Sequence, residues 1–458
     1  MDARPVRIGG RWWLALAICI YSIASYSLER ASGGDWANWN HAVGGLALVW
    51  YVRRYYKDQR DVVLTGFEQI YASLALLLSA AIVSTGVFMF EVAQFGTQNG
   101  IFWVVVGFFI PGFEASGIGY RFADRVTFRP HVQRFPHRFE QRLILAITFV
   151  TLLLCAYVLV RYRGPTLLGI DRATFWRTIA PSYLSFIPTL VIQSFFFAAY
   201  YFLWMRRRGA STRLPVAILV AYILATVLVL GQKFSAFTVY MNTWFVLLPG
   251  ILPDFRIKAR HLLIFAGVLV LLAVSVVVSY VLMGREAAFV LARVALQAQV
   301  LWSVFDDTRH LGLWPDDWTC FFQCGQFDNG KDFISYAYLP HKLYSWYADG
   351  GTELSGWMPA LPILTMGLVA ALLLHVMLSF VLGFIQKKVV AAIARENMAY
   401  AFLLFKLHLG LTLFWFAGTQ SAVRGIFVVI LVIALFRACF PSRATSTPAD
   451  RLLSSSHP

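Results

Sequence analysis

The chain of 458 residues is 59% hydrophobic and only 14% charged, with a mean hydropathy of +0.66. So few charges cannot clothe the surface of a soluble fold, which excludes a string of soluble domains. A net charge of +16 would ordinarily raise nucleic acid as a partner, but the surplus sits in loops beside hydrophobic spans, where it orients a membrane protein and implies no nucleic-acid partner.

Met1–Arg11 carries three arginines and one aspartate before the first span, and without a small-residue cleavage site after that span it reads as an uncleaved signal-anchor. About twelve transmembrane helices are expected, each near the length that crosses a bilayer. They are Trp12–Tyr26, Trp36–Val52, Phe67–Phe90, Ile101–Gly119, Leu143–Val160, Pro181–Trp204, Leu214–Leu230, Ala236–Leu252, Leu262–Met283, Pro359–Phe384, Met398–Ala417 and Ala422–Phe436. The second is the weakest, because it contains Asn38, Asn40 and His41. The fold class is therefore an all-α polytopic membrane protein. Residues 1–283 hold helices one to nine, 284–358 form an outer loop domain, 359–436 hold helices ten to twelve, and 437–458 are a Ser-, Pro- and Arg-rich tail expected to be disordered on the cytoplasmic side.

Alternation of the spans tests the count. Segments 1–11, 53–61, 120–142, 205–213, 254–260, 387–396 and 437–458 hold 26 Lys/Arg against 8 Asp/Glu, and the connections on the other side hold 11 against 13. Adding or dropping one span would scramble that separation, so both termini are expected in the cytoplasm. The basic clusters anchor loops against anionic headgroups of the membrane lipids. Within the spans, Glu68, Glu114, Lys406 and His408 need partners or an interface. Glu68 and Lys406 lie near the inner ends of their helices and can snorkel, and Glu114 can pair with an arginine. No internal repeat stands out, which counts against a transporter built from two halves.

The outer loop has two parts. Ala287–Val304 is continuous with good helix formers and reads as a surface helix, with Arg293 and Gln297 on one face and Arg285 roughly aligned with them. Each arginine either snorkels to headgroups or meets an anion. Phe305–Met358 alternates aromatics with turn residues and carboxylates, among them Trp346, Asp316 and Glu353. Such a surface has the makings of a sugar cleft, flat rings beside hydrogen-bonding groups, or of a small core with solvated turns. Cys320 and Cys324, four apart, permit a disulfide in an oxidising space, although a helical spacing would strain it, and they are a poor zinc signal; no metal is expected. Arg161, Arg163, Arg172 and Arg177 crowd the connection between spans five and six against one acid, Asp171. Four arginines on an outer connection run against the orientation rule and call for an anionic substrate or outer-leaflet headgroups. Gly231–Ser235 joins spans seven and eight so tightly that Lys233 must sit at the mouth.

The GQKFSAF turn, the RVALQAQVLW helix and the GGTELSGWMPALP entry into a new span together resemble the bacterial oligosaccharide repeat-unit (O-antigen and exopolysaccharide) polymerase family, which is related to O-antigen ligases. The specific likeness is confined to about Gly231–Phe237 and Arg285–Pro362. It implies a GT-C-like bundle with a periplasmic loop between helices nine and ten in the bacterial inner membrane. The implied reaction transfers a glycan from an undecaprenyl-diphosphate-linked oligosaccharide to a second lipid-linked acceptor, inverting and without cofactor. A chain-length regulator and a flippase are the partners expected. Arg293, Arg285, Lys233 and Arg177 would grip the diphosphate, with Arg172, Arg163 and Gln297 beside them, because guanidinium forks stabilise the charge that develops on the leaving group. The acceptor base falls among His341, Asp316, Asp317 and His310, Glu353 would hold an acceptor hydroxyl, and Trp346 a sugar face. A ligase acting on lipid A core, or a flippase or transporter of the same lipid-linked glycan, are the alternatives.

Overall fold

A computed structural model describes residues 10–32, 37–84, 100–126, 135–231 apart from 171, 235–261 with scattered residues to 277, 303–304, 330–345 apart from 343, 360–417 and 420–441. The elements are α1 (Gly10–Ser32), α2 (Ala37–Asp58), α3 (Arg60–Thr65), α4 (Phe67–Ser84), α5 (Ile101–Arg125), α6 (His137–Tyr162), α7 (Gly164–Leu168), α8 (Arg172–Thr174), α9 (Ile187–Arg207), α10 (Arg213–Leu228), α11 (Ser235–Ile251), α12 (Gly330–Tyr338), α13 (Ala360–Ala394), α14 (Met398–Ala417) and α15 (Gln420–Cys439). No strand occurs among the described residues. Helices are what long apolar runs must form in lipid, where each backbone N–H and C=O has to be satisfied within its own segment.

The protein is an all-α, multi-span membrane protein. Up to six helices are long and apolar enough to cross a bilayer: Arg11–Ser32, Ile101–Arg125, Arg138–Leu168, Ser182–Arg207, Ala360–Ala394 and Met398–Trp415. Phe67–Ser79, Arg213–Leu228 and Ala236–Ile251 are apolar but shorter. The predicted second span is a helix that runs on to Asp58 and buries Tyr51 and Tyr55 completely. The tenth runs ten residues past its predicted end, through the expected loop 387–396, and is interrupted at Gly367 (φ 78°, ψ 167°), a backbone region that only glycine occupies without strain. The predicted ninth span lies largely outside the described residues, as do the tail and all of the surface helix Ala287–Val304 except Ser303 and Val304.

Two hydrophobic cores divide the bundle. One joins α1 to α5, α13 from Ala360 to Leu382 and Trp415 of α14, with Val304, Ile334, Tyr338 and Leu339 of the long loop packed onto it. The other joins α6, α9, α10, α11, the last turns of α13 and most of α14. Since α13 belongs to both, its packing partner α5 sets the frame. These two helices run parallel, as Phe108 against His375 and Ser116 against Gln386 require. Glycines let them approach: a Cβ on Gly119 would meet the Phe380 carbonyl, and one on Gly383 the Ser116 carbonyl. Small residues at such seams are how membrane helices gain van der Waals contact.

The segments expected inside meet one another at one end of the bundle. Arg60 Nη1 donates to the Phe255 carbonyl at 3.2 Å and the Ile257 N–H to Tyr56 Oη at 2.8 Å. Lys388 Nζ donates to the Ala123 and Val126 carbonyls at 2.8 and 3.0 Å, and Lys387 pairs with Asp124 at 3.1 Å. The Met398 N–H donates to Glu140 at 3.2 Å. Phe440 packs edge-on against Phe135, and Arg11 approaches Asp58 at 3.8 Å, so α1 begins and α15 ends at this same end.

Replacing Gly383 by Val should lower stability by about 1–3 kcal/mol through overpacking against the Ser116 backbone. Gly107→Ala, on the same seam helix but with no atom within 4 Å of the added Cβ, should be neutral or slightly stabilising. Thermal unfolding of the two variants in detergent checks the contrast.

Candidate functional site

The cation-rich connection sits at the end opposite the basic loops, on the second core. α6 closes at Arg163, whose backbone is left-handed (φ 64°, ψ −14°), a conformation usually taken by glycine at a helix C-terminus. α7 follows and ends at Gly169 (φ 66°). After α8 the chain makes one π-helical turn, Phe175–Ile179, and a 3-10 turn, Ser182–Leu184, before α9. Phe175, Ala180 and Leu184 are buried and pin this excursion to the core, while the side chains of Arg161, Arg163, Arg172 and Arg177 stay exposed.

The excursion is tied to the end of α10. Thr166 Oγ1 donates to the Val227 carbonyl at 2.5 Å. Gly164 approaches the Leu228 carbonyl so closely that a Cβ there would lie 2.5 Å from it. Gly231, with φ 60°, follows α10, and a Cβ on it would lie 2.9 Å from Pro165 Cγ and 3.3 Å from Arg172 Cβ. The structure thus brings together two places distant in sequence, the arginine connection and Gly231 just past α10. Lys233 stands two residues past Gly231 and is itself outside the described residues.

His341 lies elsewhere. It follows Pro340 on a helical turn beyond α12, is exposed, and has Ser345 Oγ 3.4 Å from its Nδ1. Tyr344 packs edge-on against Tyr336, and Tyr338 and Leu339 anchor the segment to the first core. The arginine connection belongs to the second core. The described contacts therefore do not join His341 to Arg163, Arg172 or Arg177. Arg293, Arg285, Gln297, Asp316, Glu353, Trp346, Asp317 and His310 lie outside the described residues.

Three buried acids organise polar groupings inside the bundle, and only that of Glu29 went unread in the sequence. Glu29, counted above as a loop acid, is fully buried. Trp103 Nε1 donates to it at 2.6 Å, Asn40 Nδ2 at 3.0 Å and the Gly100 N–H at 3.1 Å, with His41 Nε2 at 3.2 Å. Asn40 and His41, which weakened the second span, are there to satisfy this carboxylate. Glu114 does find an arginine: Arg11 Nη2 donates to it at 3.0 Å and Tyr51 Oη at 3.0 Å, and the Arg11 guanidinium lies over the Tyr55 ring at 4.6 Å. Glu68 does not snorkel. It is buried and accepts a bond from Asn242 Nδ2 at 2.5 Å. The signal for each was an acid whose nearest amides and aromatics sit on other spans.

A family model described as a family of unknown function, DUF6418, matches residues 335–438, the stretch from the second half of α12 to the end of α15. No curated protein and no solved structure matches the chain. Among the described residues no three His, Cys, Asp or Glu side chains gather as metal ligands do.

Replacing Arg11 by Met alone should cost about 3–5 kcal/mol, because it strands the Glu114 charge, and the double variant Arg11→Met/Glu114→Leu should recover most of that loss. A double-mutant cycle on detergent unfolding measures the coupling.

Proposed function

We propose that the protein is a polysaccharide polymerase. It transfers a glycan from an undecaprenyl-diphosphate-linked donor to a lipid-linked acceptor at the outer face of the bacterial inner membrane, with both termini cytoplasmic. The observation that carries the reading is the contact of Arg172 and Pro165 with Gly231, which sets the arginine connection beside the turn that leads to Lys233. As the glycosidic bond to phosphate breaks, negative charge grows on the diphosphate, and a rim of guanidinium groups lowers that barrier by electrostatic stabilisation and bidentate hydrogen bonding. Arg163 supports the same role. A left-handed arginine costs about 1 kcal/mol or more against glycine, and its side chain is exposed, so stability does not account for its presence. In this reading Arg293 and Arg285 complete the clamp from the outer loop, with Gln297 beside Arg293. His341 or Asp316 takes the acceptor proton, while Glu353 and Trp346 hold the acceptor sugar. About twelve spans in a GT-C-like arrangement, a chain-length regulator and a flippase as partners belong to the same proposal.

A ligase would run this chemistry on lipid A core instead. A transporter of the lipid-linked glycan is the second reading, favoured by the break in α13 at Gly367, since interrupted helices line the substrate sites of many transporters.

Purified protein incubated with lipid-diphosphate repeat units should yield a ladder of glycan lengths without lipid A core present. Product only on added core indicates the ligase, and movement of the labelled lipid across vesicles without elongation indicates the transporter. Arg293→Ala should abolish elongation while leaving insertion intact. Arg163→Gly should raise the unfolding temperature and still slow elongation; unchanged elongation removes Arg163 from the clamp.

A further inference from the structure

The interior of the bundle contains imidazoles that the outer-face chemistry does not use. His375 on α13 and His408 on α14 are buried, at 2% and 1% exposure. The Phe108 main chain is within hydrogen-bonding reach of one His375 nitrogen, but no ring nitrogen of either histidine has a side-chain partner among the described residues. Both ends of the Gln69 amide on α4 are likewise buried and unpaired. Buried polar atoms without partners are rare because each carries the full cost of desolvation. Several of them in one region point to an occupant that can give and accept hydrogen bonds.

Their register places them along one seam. His375, Ser379 and Gln386 follow one another at intervals of four and seven, which keeps them on one face of α13. His408 and Trp415 are seven apart on one face of α14. Trp415 Nε1 donates to Ser379 Oγ at 3.1 Å, and its ring lies 5.0 Å from that of His375. The helices run antiparallel there, so seven residues inward from this bond bring His408 and Gln386 to about the same depth. Gln386 accepts from Ser116 Oγ at 3.4 Å and donates to the Thr65 carbonyl at 3.2 Å. Thr65 stands one turn from Gln69. At the outer level a Cβ on Gly112 would lie 3.0 Å from Ser379 Oγ and closer still to His375 Nε2, so both polar atoms face a position that carries no side chain.

We propose that this seam is a hydrated proton path, with His375 and His408 as its two proton-carrying stations. Each ring accepts a proton on one nitrogen and releases one from the other, so a proton passes with no net change in the protein and no redox partner. The charged groups on the elements packed around the seam are engaged elsewhere or stand apart. Glu114 on α5 is held by Arg11 and Tyr51, Glu68 on α4 by Asn242, and Asp61 on α3 by Arg60. Lys387 and Lys388 face the inner end. Lys406 lies on a different side of α14 from His408, and Arg424 of α15 and the surface His341 beyond α12 stand at the opposite end. Ionisable groups inside a membrane bundle with no opposite charge to neutralise them are those that pumps and coupled carriers use to relay protons.

The path is independent of the glycan-transfer reading, and its failure would leave that reading standing. Full-length protein is reconstituted in phosphatidylethanolamine–phosphatidylglycerol vesicles holding a trapped pH dye, and a potassium diffusion potential is applied. Wild type and a His261→Gln control should change the internal pH faster than protein-free vesicles, while His375→Gln and His408→Gln should fall to the protein-free rate. A wild-type rate equal to protein-free vesicles, or flux undiminished in both histidine variants, overturns the proposal. Ser379→Cys, with the label read on the peptide that carries residue 379 so that the five native cysteines do not count, decides the hydration separately from the fate of the histidine variants. A small water-soluble methanethiosulfonate should modify that fully buried position, and absence of reaction means a dry seam and sinks the path.

Discussion

The close parallel approach of α5 and α13 governs the molecule. Backbone meets backbone where Gly119 faces Phe380 and Gly383 faces Ser116, so these two helices cannot slide without losing the contact that holds them. Helix association in lipid has little hydrophobic drive and depends on such packing. Because α13 contributes Ala360 to Leu382 to one core and its last turns to the other, its position relative to α5 also sets the position of each core relative to the other. Gly367 releases the outer turns, Ala360–Met366, from the direction of the long inner segment. Those turns are buried against the described part of the outer loop, through Ile334, Tyr338 and Leu339. The loop is therefore anchored to α13 on the outer side of the break.

Polar chemistry inside the bundle follows from the absence of bulk water. Glu29 keeps a buried carboxylate because both oxygens meet donors from α2 and α5. It locks three helix ends at the outer side, as Arg11, Glu114 and Tyr51 lock the same three helices nearer the inner side. Two such clamps at different depths fix the tilt of α1 against α5 more tightly than apolar contact alone, because shifting either one would leave a charged group buried and unmatched. Against that background His375 and His408 are buried ionisable groups that, among the described residues, have no side-chain partner.

Much of the architecture was legible because it is written in local runs. Span existence follows from continuous apolar stretches, and the gathering of residues 53–61, 120–142, 254–260 and 387–396 at one end follows from their arginines and lysines. What escaped was decided between spans. Lys387 and Lys388 read as loop residues by charge, yet they lie within α13, two turns before its end, and bind Ala123, Asp124 and Val126. Glu29 read as exterior because nothing near it in the chain announces Trp103 or Gly100. His375 carried no signal at all, since one histidine in a leucine-rich span looks like a packing residue until its neighbours prove to be a glycine, a serine and an indole. The arginine connection was visible by composition, but its contact with Gly231 depends on α7 folding back over the end of α10, which no local pattern encodes.

The division between the cores constrains any chemistry at the outer face. The arginine excursion rests on the second core through Phe175, Ala180 and Leu184, whereas His341 and the described outer-loop helix rest on the first. A substrate that uses both must extend across the bundle, with its anionic end over α6, α9 and α10 and its other part toward α12. A long lipid-linked donor and a separate acceptor meet that demand more naturally than one compact ligand, because a flexible small molecule held at both places would lose conformational entropy for each ordered bond. The arginine excursion and the His341 segment thus stand on different cores, with α13 packed into both.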